Sequence, residues 1–366
     1  MRFSKLQQAH LDFTSALYLG FHHDYQSLLP WSKLTTGVPA ALSEPILTSH
    51  LSRQLAKMIG LEEACAFPST LHLFRDLFDY LNKENFLYFL DDQAYPISRW
   101  GMEGILKAGE NALNFPHGNV HRLNLLLKSN LRRGQRPVII TDGWCPQCGC
   151  ALPLQGYLSL LKSAGGLLVI DDTQALGLLG KNPTPQMPYG FGGGGILPWF
   201  GMQSPNIIVG SSLAKGFGVP LAILAGNRKV VERIRQSSKT RVHCSPPSNA
   251  DFRATQHALR INEQRGDELR RLLYTNVVLF KQRLQKAGIF TSGGIFPVQM
   301  IKGIERNQAI HLLEFLSEKD VQALLTKTHT RQVALSFMLR ADHDTNEILK
   351  VTSLIAKKLA TTRKKI

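Results

Sequence analysis

Apolar residues fall into two rhythms that alternate from about residue 46 to residue 226. Short, near-continuous runs, ACAF (64–67), FLYFL (86–90), PVIIT (137–141), LLVID (167–171), NIIVGS (206–211) and LAILAG (221–226), predict strands buried on both faces, as in a mostly parallel sheet. Between them, Leu51, Leu55, Met58 and Ile59 share one helical face, and Leu71, Phe74, Phe78 and Leu81 line the next predicted helix. This alternation predicts an α/β fold with a central sheet flanked by helices. After about residue 246 the rhythm changes to long basic amphipathic segments and then to mixed strand and helix, which predicts a smaller α+β domain. SPPSNAD (245–251) reads as a hinge between them. The expected organisation is an N-terminal arm over 1–45, a large domain over 46–245 and a small C-terminal domain over 246–366.

Composition agrees with two globular domains: 366 residues, 43% of them hydrophobic. MRFSKLQQAH lacks an apolar signal core and no uninterrupted apolar run approaches the roughly 18 residues of a membrane span, so the expectation is a soluble cytoplasmic chain with no membrane partner. Five cysteines, an odd number, are expected to be free thiols in a reducing compartment. Charge is the unusual bulk property, with 43 Lys+Arg against 27 Asp+Glu and a net +16. The excess lies in RKVVERIRQSSKTR (228–241), in the stretch from Arg253 to Arg271 and in the tail TTRKKI. Such a field either attracts anions, among them phosphorylated cofactors, coenzyme A esters and acidic carrier proteins, or is a solvated surface. Nucleic acid is not expected, since the arginines are not interleaved with aromatics and no helix-turn-helix or zinc-finger spacing occurs.

The candidate chemistry sits where two strands end. Asp171 closes LLVID, and Lys215 follows IIVGS in the run VGSSLAKGFGVP. A lysine partly removed from water loses its proton readily and attacks carbonyls, and an acid at the carboxyl end of a parallel strand lies where open α/β sheets bind ligands. The pair suits pyridoxal phosphate, which takes a Schiff base from lysine and a carboxylate at its ring nitrogen. Taken by themselves, Asp171 is equally a turn cap and Lys215 a solvated loop residue. YGFGGGGILPWFG (189–201) lacks the Lys-Ser/Thr of a phosphate-cradling P-loop and is expected to be a flexible loop. Cys145, Cys148 and Cys150 have the spacing of half a zinc site, but no second pair follows, so no metal is expected. His117 and His121 are separated by Gly118-Asn119, which argues against a helical ligand pair and for polar loop residues.

These segments, in this order, resemble the fold-type I pyridoxal phosphate enzymes, and within them the α-oxoamine synthases. LDFTSALYLG (11–20), ACAFPSTLHLF, FPHGNVHRL (115–123), IDDTQALGLLG and SSLAKGFG are similar to the family's N-terminal segment, phosphate-loop turn, central link, aspartate motif and lysine motif. The resemblance implies that Lys215 holds the cofactor and shuttles a proton, that Asp171 keeps the ring nitrogen protonated, and that Ser69, Thr70, Leu71 and Ser212 meet the phosphate. Gln174 stands where the synthases carry a histidine beside the ring. Pro96 stands where they stack another, which leaves Tyr95 as the stacking candidate, or else as an ordinary core aromatic. Ser336 stands where an arginine grips the substrate carboxylate, with Arg340 nearby in sequence. The implied reaction is acyl transfer from an acyl thioester, on coenzyme A or an acyl carrier protein, to an amino acid, with decarboxylation, by a homodimer. An aminotransferase or lyase, or a cofactor-binding relative without turnover, stays open because positions 96, 174 and 336 depart from the pattern.

Overall fold

The computed structural model describes residues 11–103, 112–328 and 332–363; the first ten residues of the expected arm and the side chains of TTRKKI lie outside them. The chain forms two compact units, one of Phe21–Cys145 and Ala151–Asp267, the other of Met1–Gly20, Pro146–Cys150 and Glu268–Ile366.

The larger unit is built on a seven-stranded sheet: β1 (Glu63–Phe67), β2 (Phe86–Asp91), β3 (Ala112–Phe115), β4 (Arg136–Asp142), β5 (Leu167–Asp171), β6 (Ile207–Ser212) and β7 (Ala222–Gly226). Its order is β1-β7-β6-β5-β4-β2-β3. The pairs from β6 to β3 are parallel, and β7 runs antiparallel to both neighbours. All six predicted strands are present. Only β3 is unheralded, because half-exposed ALNF offers no apolar run. Registry aligns Asp142 with Asp171 and Asp171 with Gly210, so three parallel strands end side by side.

The helix Thr70–Leu81 covers one face of the sheet. It starts where Ser69, in extended backbone, accepts the His72 N–H at 3.4 Å, and it drives Leu73, Phe74, Leu77, Phe78 and Leu81 into the core. Leu71, expected on that inner face, is 43% exposed, because the buried stripe is centred on positions 73, 74, 77, 78 and 81 and leaves 71 outward. Met58 in the helix Leu47–Ile59 is only partly buried, whereas Leu51, Leu55 and Ile59 are buried as expected.

The glycine-rich tract is not a loose loop. Its residues 196–200 form a short helix, and the Ile196 N–H donates to Asp172 Oδ2 at 3.0 Å. Gly195 has φ +91°, and a β-carbon there would collide with the Asp172 carboxylate, as would one on Gly143. The glycines serve close approach to a buried acid rather than flexibility.

The smaller unit has a four-stranded antiparallel sheet in the order Thr291–Ser292, Val298–Ile301, Val333–Met338, Leu324–Lys327, packed by the helices Arg306–Ser317 and Thr345–Arg363. Leu11–Asp12 pairs in parallel with Val321–Gln322. Two composition-based expectations need correction. Cys148 and Cys150 form a disulfide, with Gly149 at φ +71° turning the chain between them, so Cys65, Cys145 and Cys244 are the cysteines that stay outside a disulfide. The basic stretches are also not wholly surface: Arg270 is fully buried, and buried Arg241 donates to Glu44 at 2.6 Å.

Candidate active site

Strand ends make this site. Thr70, Tyr95, Ile97, Asp142, Asp171, Thr173, Gln174, Ser212, Ala214 and Lys215 line a cavity of about 180 Å³ in the larger unit. Parallel β4, β5 and β6 bring Asp142, Asp171 and Ser212 to one edge of the sheet, and Lys215 follows three residues after Ser212.

Asp171 is buried and accepts the Thr173 N–H at 3.0 Å. Burial raises its carboxyl above the ordinary range, while the Thr173 hydrogen bonds and the Lys215 ammonium pull the other way. Asp142 accepts the Tyr95 N–H at 3.1 Å and is pushed higher still, by burial and by the Asp171 charge beside it. Burial lowers Lys215 from the usual lysine value, with Asp171 and Asp142 opposing the shift. Its Nζ lies 5.7 Å from the centre of the Tyr95 ring, a cation–π distance. The cavity therefore holds an amine inclined to be neutral and two carboxyls inclined to be protonated. Burial thus works against the charged form of all three groups, as is common where side chains carry protons.

Thr173 ties the two strand ends together, since its hydroxyl accepts the Ser212 N–H at 3.0 Å. The Ser212 hydroxyl accepts the Ala214 N–H at 3.2 Å, shaping the turn that carries Lys215. Thr70 contributes from the first turn of its helix, whose N–H groups favour an anion.

Of the residues singled out in the sequence, Lys215, Asp171, Gln174, Thr70, Tyr95 and Ser212 share this cavity. Ser69 and Leu71 are not among its lining residues; Ser69 caps the helix, its hydroxyl 2.8 Å from His72 Nδ1. Ser336 and Arg340 belong to the other unit. There the Ser336 and Thr326 hydroxyls bond at 2.6 Å, and Arg340 pairs with Asp12 at 3.1 Å and with Asp342 at 2.9 Å. Sequence reasoning missed Asp142 and Thr173. The signal for Asp142 was present, an acid ending the PVIIT strand as Asp171 ends LLVID. His117 is more than a polar loop residue: it pairs with Asp91 at 2.9 Å, and that bond with a second to Cys145 raises its pKa to about 10.

The aminotransferase class I and II family model matches residues 111–336. The chain belongs to this family. Among class I and II members, it is 29% identical to the 8-amino-7-oxononanoate synthase of Coprothermobacter proteolyticus over 197 residues, 54% of this chain and 47% of that one. The chain thus spans about half the length of this curated relative. Two solved structures share the family fold over nearly all of the chain. One is serine palmitoyltransferase with a pyridoxal phosphate internal aldimine, at TM-score 0.82, 15% identity and coverage of 95% of this chain and 87% of that one. The other is 8-amino-7-oxononanoate synthase from Francisella tularensis, at TM-score 0.73, 20% identity and coverage of 97% and 99%. The mostly parallel sheet is thus the fold of class I and II pyridoxal phosphate enzymes. No described helix is long and apolar enough to cross a membrane.

Proposed function

We propose that this chain binds pyridoxal phosphate between Lys215 and Asp171 and transfers an acyl group from a thioester to an amino acid, releasing carbon dioxide and the thiol. The observation that carries the reading is the meeting of a depressed-pKa amine and a buried carboxyl in one cavity at the ends of β5 and β6. The donor set fits the cofactor: an amine for its aldehyde, an acid for its ring nitrogen, an aromatic ring near the amine, and a helix start with hydroxyls for its phosphate. When bound, that group captures the amino substrate and withdraws electrons from its α-carbon.

In this reading the chain's own residues have separable tasks. Lys215, which burial helps to lose its proton, acts as nucleophile at Nζ and then takes and returns a proton there. Asp171 would face the ring nitrogen and favour its protonated form, in a site where burial strengthens such an interaction. Tyr95 would cover the amine, and Thr70 and Ser212 would face the phosphate. Gln174 donates from its amide without titrating. Ser336 offers neither charge nor a fork, so recognition of the substrate carboxylate falls to an arginine. The proposed assembly is a homodimer, and the proposed acyl donors are coenzyme A and acyl carrier thioesters.

The test is incubation of the cofactor-loaded protein with a panel of amino acids and acyl thioesters, following free thiol and product mass together. Thiol release that depends on the amino acid, with a product mass lower by carbon dioxide, is the expected result. Amino-group exchange with a keto acid and no thiol release would replace this reading with aminotransfer. Failure to form a cofactor absorption band would end both.

A further inference from the structure

A second cavity, of about 240 Å³, shares no lining residue with the Lys215 cavity. Ser27 and Leu29 line one side, and the rest comes from two helices: His50 and Gln54 on Leu47–Ile59, and Arg253, His257 and Arg260 among the residues on the first turns of Asn249–Lys286. Arg253, His257 and Arg260 recur at spacings of four and three, on one face, so the cationic row runs about 10 Å along the helix at 1.5 Å per residue. Among the described residues, neither arginine pairs with a carboxylate; Arg253 donates only to Gln256, at 3.1 Å. Glu263 is the one acid in the lining.

The histidine is fixed by its neighbours. His23 Nε2 lies 2.7 Å from the Phe217 carbonyl, which can only accept, so this nitrogen carries a proton. In a neutral His23 ring Nδ1 then has only a lone pair, and His257 Nδ1, 3.1 Å away, must be the donor. His257 Nε2 is left as the nitrogen that gains a proton. Burial first, and then His23 and Arg260, hold His257 below the ordinary histidine pKa. Phe217 lies two residues beyond Lys215, so two hydrogen bonds join this cavity to the turn bearing the candidate nucleophile.

We propose that this cavity is a binding site for a diphosphate group, held by Arg253 and Arg260 and by a proton taken up at His257. Two arginines and an imidazolium spread over about 10 Å match two linked phosphates better than one. The charged and titratable groups facing His257 are His23 from the segment after Phe21, His50 from the helix Leu47–Ile59, and Arg253, Arg260 and Glu263 from its own helix. The negative charge of a ligand raises the His257 pKa, so binding strengthens as pH falls.

Calorimetric titration of the full chain tests this, first saturated with pyridoxal phosphate so that the Lys215 cavity is not the phosphate acceptor. Inorganic pyrophosphate and ADP are the two probes, at pH 6 and pH 8 and low salt. The expected result is one saturable site, weakened at least tenfold in Arg253→Gln/Arg260→Gln. In His257→Gln the ratio of affinity at pH 6 to that at pH 8 should fall below the wild-type ratio, because protonation lowers the probe's own charge and no imidazolium then offsets the loss. Equal affinities for the probes assign the site to the diphosphate alone, and tighter ADP binding assigns it to a phosphate ester; either supports the proposal. Undiminished binding in the double variant, or no saturable binding by wild type, overturns it. Should the double variant fail to fold, Arg260→Gln, at an exposed position, decides the same question through an expected threefold weakening, and unchanged affinity there overturns the proposal.

Discussion

At the ends of β4 and β5, Asp142 and Asp171 share a cavity with one amine, Lys215, and burial lifts both carboxyls above their ordinary range. In the smaller unit Arg340 divides its guanidinium between Asp12 and Asp342 and donates its backbone N–H to His343 Nδ1 at 3.2 Å. His343 in turn donates from Nε2 to the Asp12 carbonyl at 2.9 Å, and Asn276 bonds the carbonyls of Arg340 and His343. The first cluster is polar but undercompensated, which suits groups that must gain and lose protons. The second is closed on itself, which suits structure. Two arrangements of similar residues thus differ less in composition than in whether their hydrogen-bonding capacity is already used.

The sharpest way to break this contrast is at the amine. Lys215→Ala should remove the covalent cofactor band and lower turnover by about 10³-fold or more, with an unchanged melting temperature. A surviving band would move the anchor elsewhere. Next in size, Asp171→Asn should lower turnover on the order of 10²-fold, seen in steady-state kinetics, while leaving the fold no less stable, because it removes a buried carboxyl. A large loss of stability would place Asp171 with the structural cluster instead. Arg340→Met should do the reverse, costing about 1 kcal/mol in denaturant unfolding, since it removes the ion pairs of partly exposed Asp12 and Asp342. If instead it leaves unfolding unchanged and raises KM for the amino substrate, Arg340 is a substrate ligand and the contrast fails.

The smallest expected effect is a divergence with pH. Asp142 and Asp171 have raised values in the folded state, so their contribution is fully present below the ordinary carboxylate pKa of 3.8 and is lost as pH rises. His343 has the opposite sign. Burial holds it below 6.5, and protonating Nδ1 would break its bond from Arg340, so its contribution is present above that value and is lost as pH falls. Asp12 follows His343 at lower pH: burial raises it, but the Thr14 bonds and Arg340 more than offset this and hold it below 3.8. From pH 7 to pH 5, amide exchange at the ends of β4 and β5 should slow relative to exchange around Ala341 and His343. Parallel changes in both places would refute the distinction.

How much of this was legible in the sequence follows from what each signal depends on. Strands buried on both faces announce themselves as apolar runs, so LLVID and LAILAG were readable, whereas half-exposed β3 was not. Lys215 and Asp171 stood out because charge beside such runs is costly to bury. Asp142 carried the same mark but drew no attention without a motif around it. The role of the glycines at 143 and 195 was hidden, because what demands them is the carboxylate of Asp172, reached only through the fold. Arginine was the least legible residue type: nothing local distinguishes buried Arg241 and Arg270 from Arg253 and Arg260, which line a cavity.

The sheet order has a bearing on time as well as space. Among the described residues, the only strand beside β1 is β7, and their register joins Phe67 to Ala222 across more than 150 positions of chain. Strands β4, β5 and β6 are each adjacent to the next in chain order as well as in the sheet, so their ends can be assembled while β1 still waits for a partner. Thr70, carried by the helix that follows β1, joins the Lys215 cavity across a long stretch of sequence. A newly made chain would hold its acids and its amine in register before it could close them around anything.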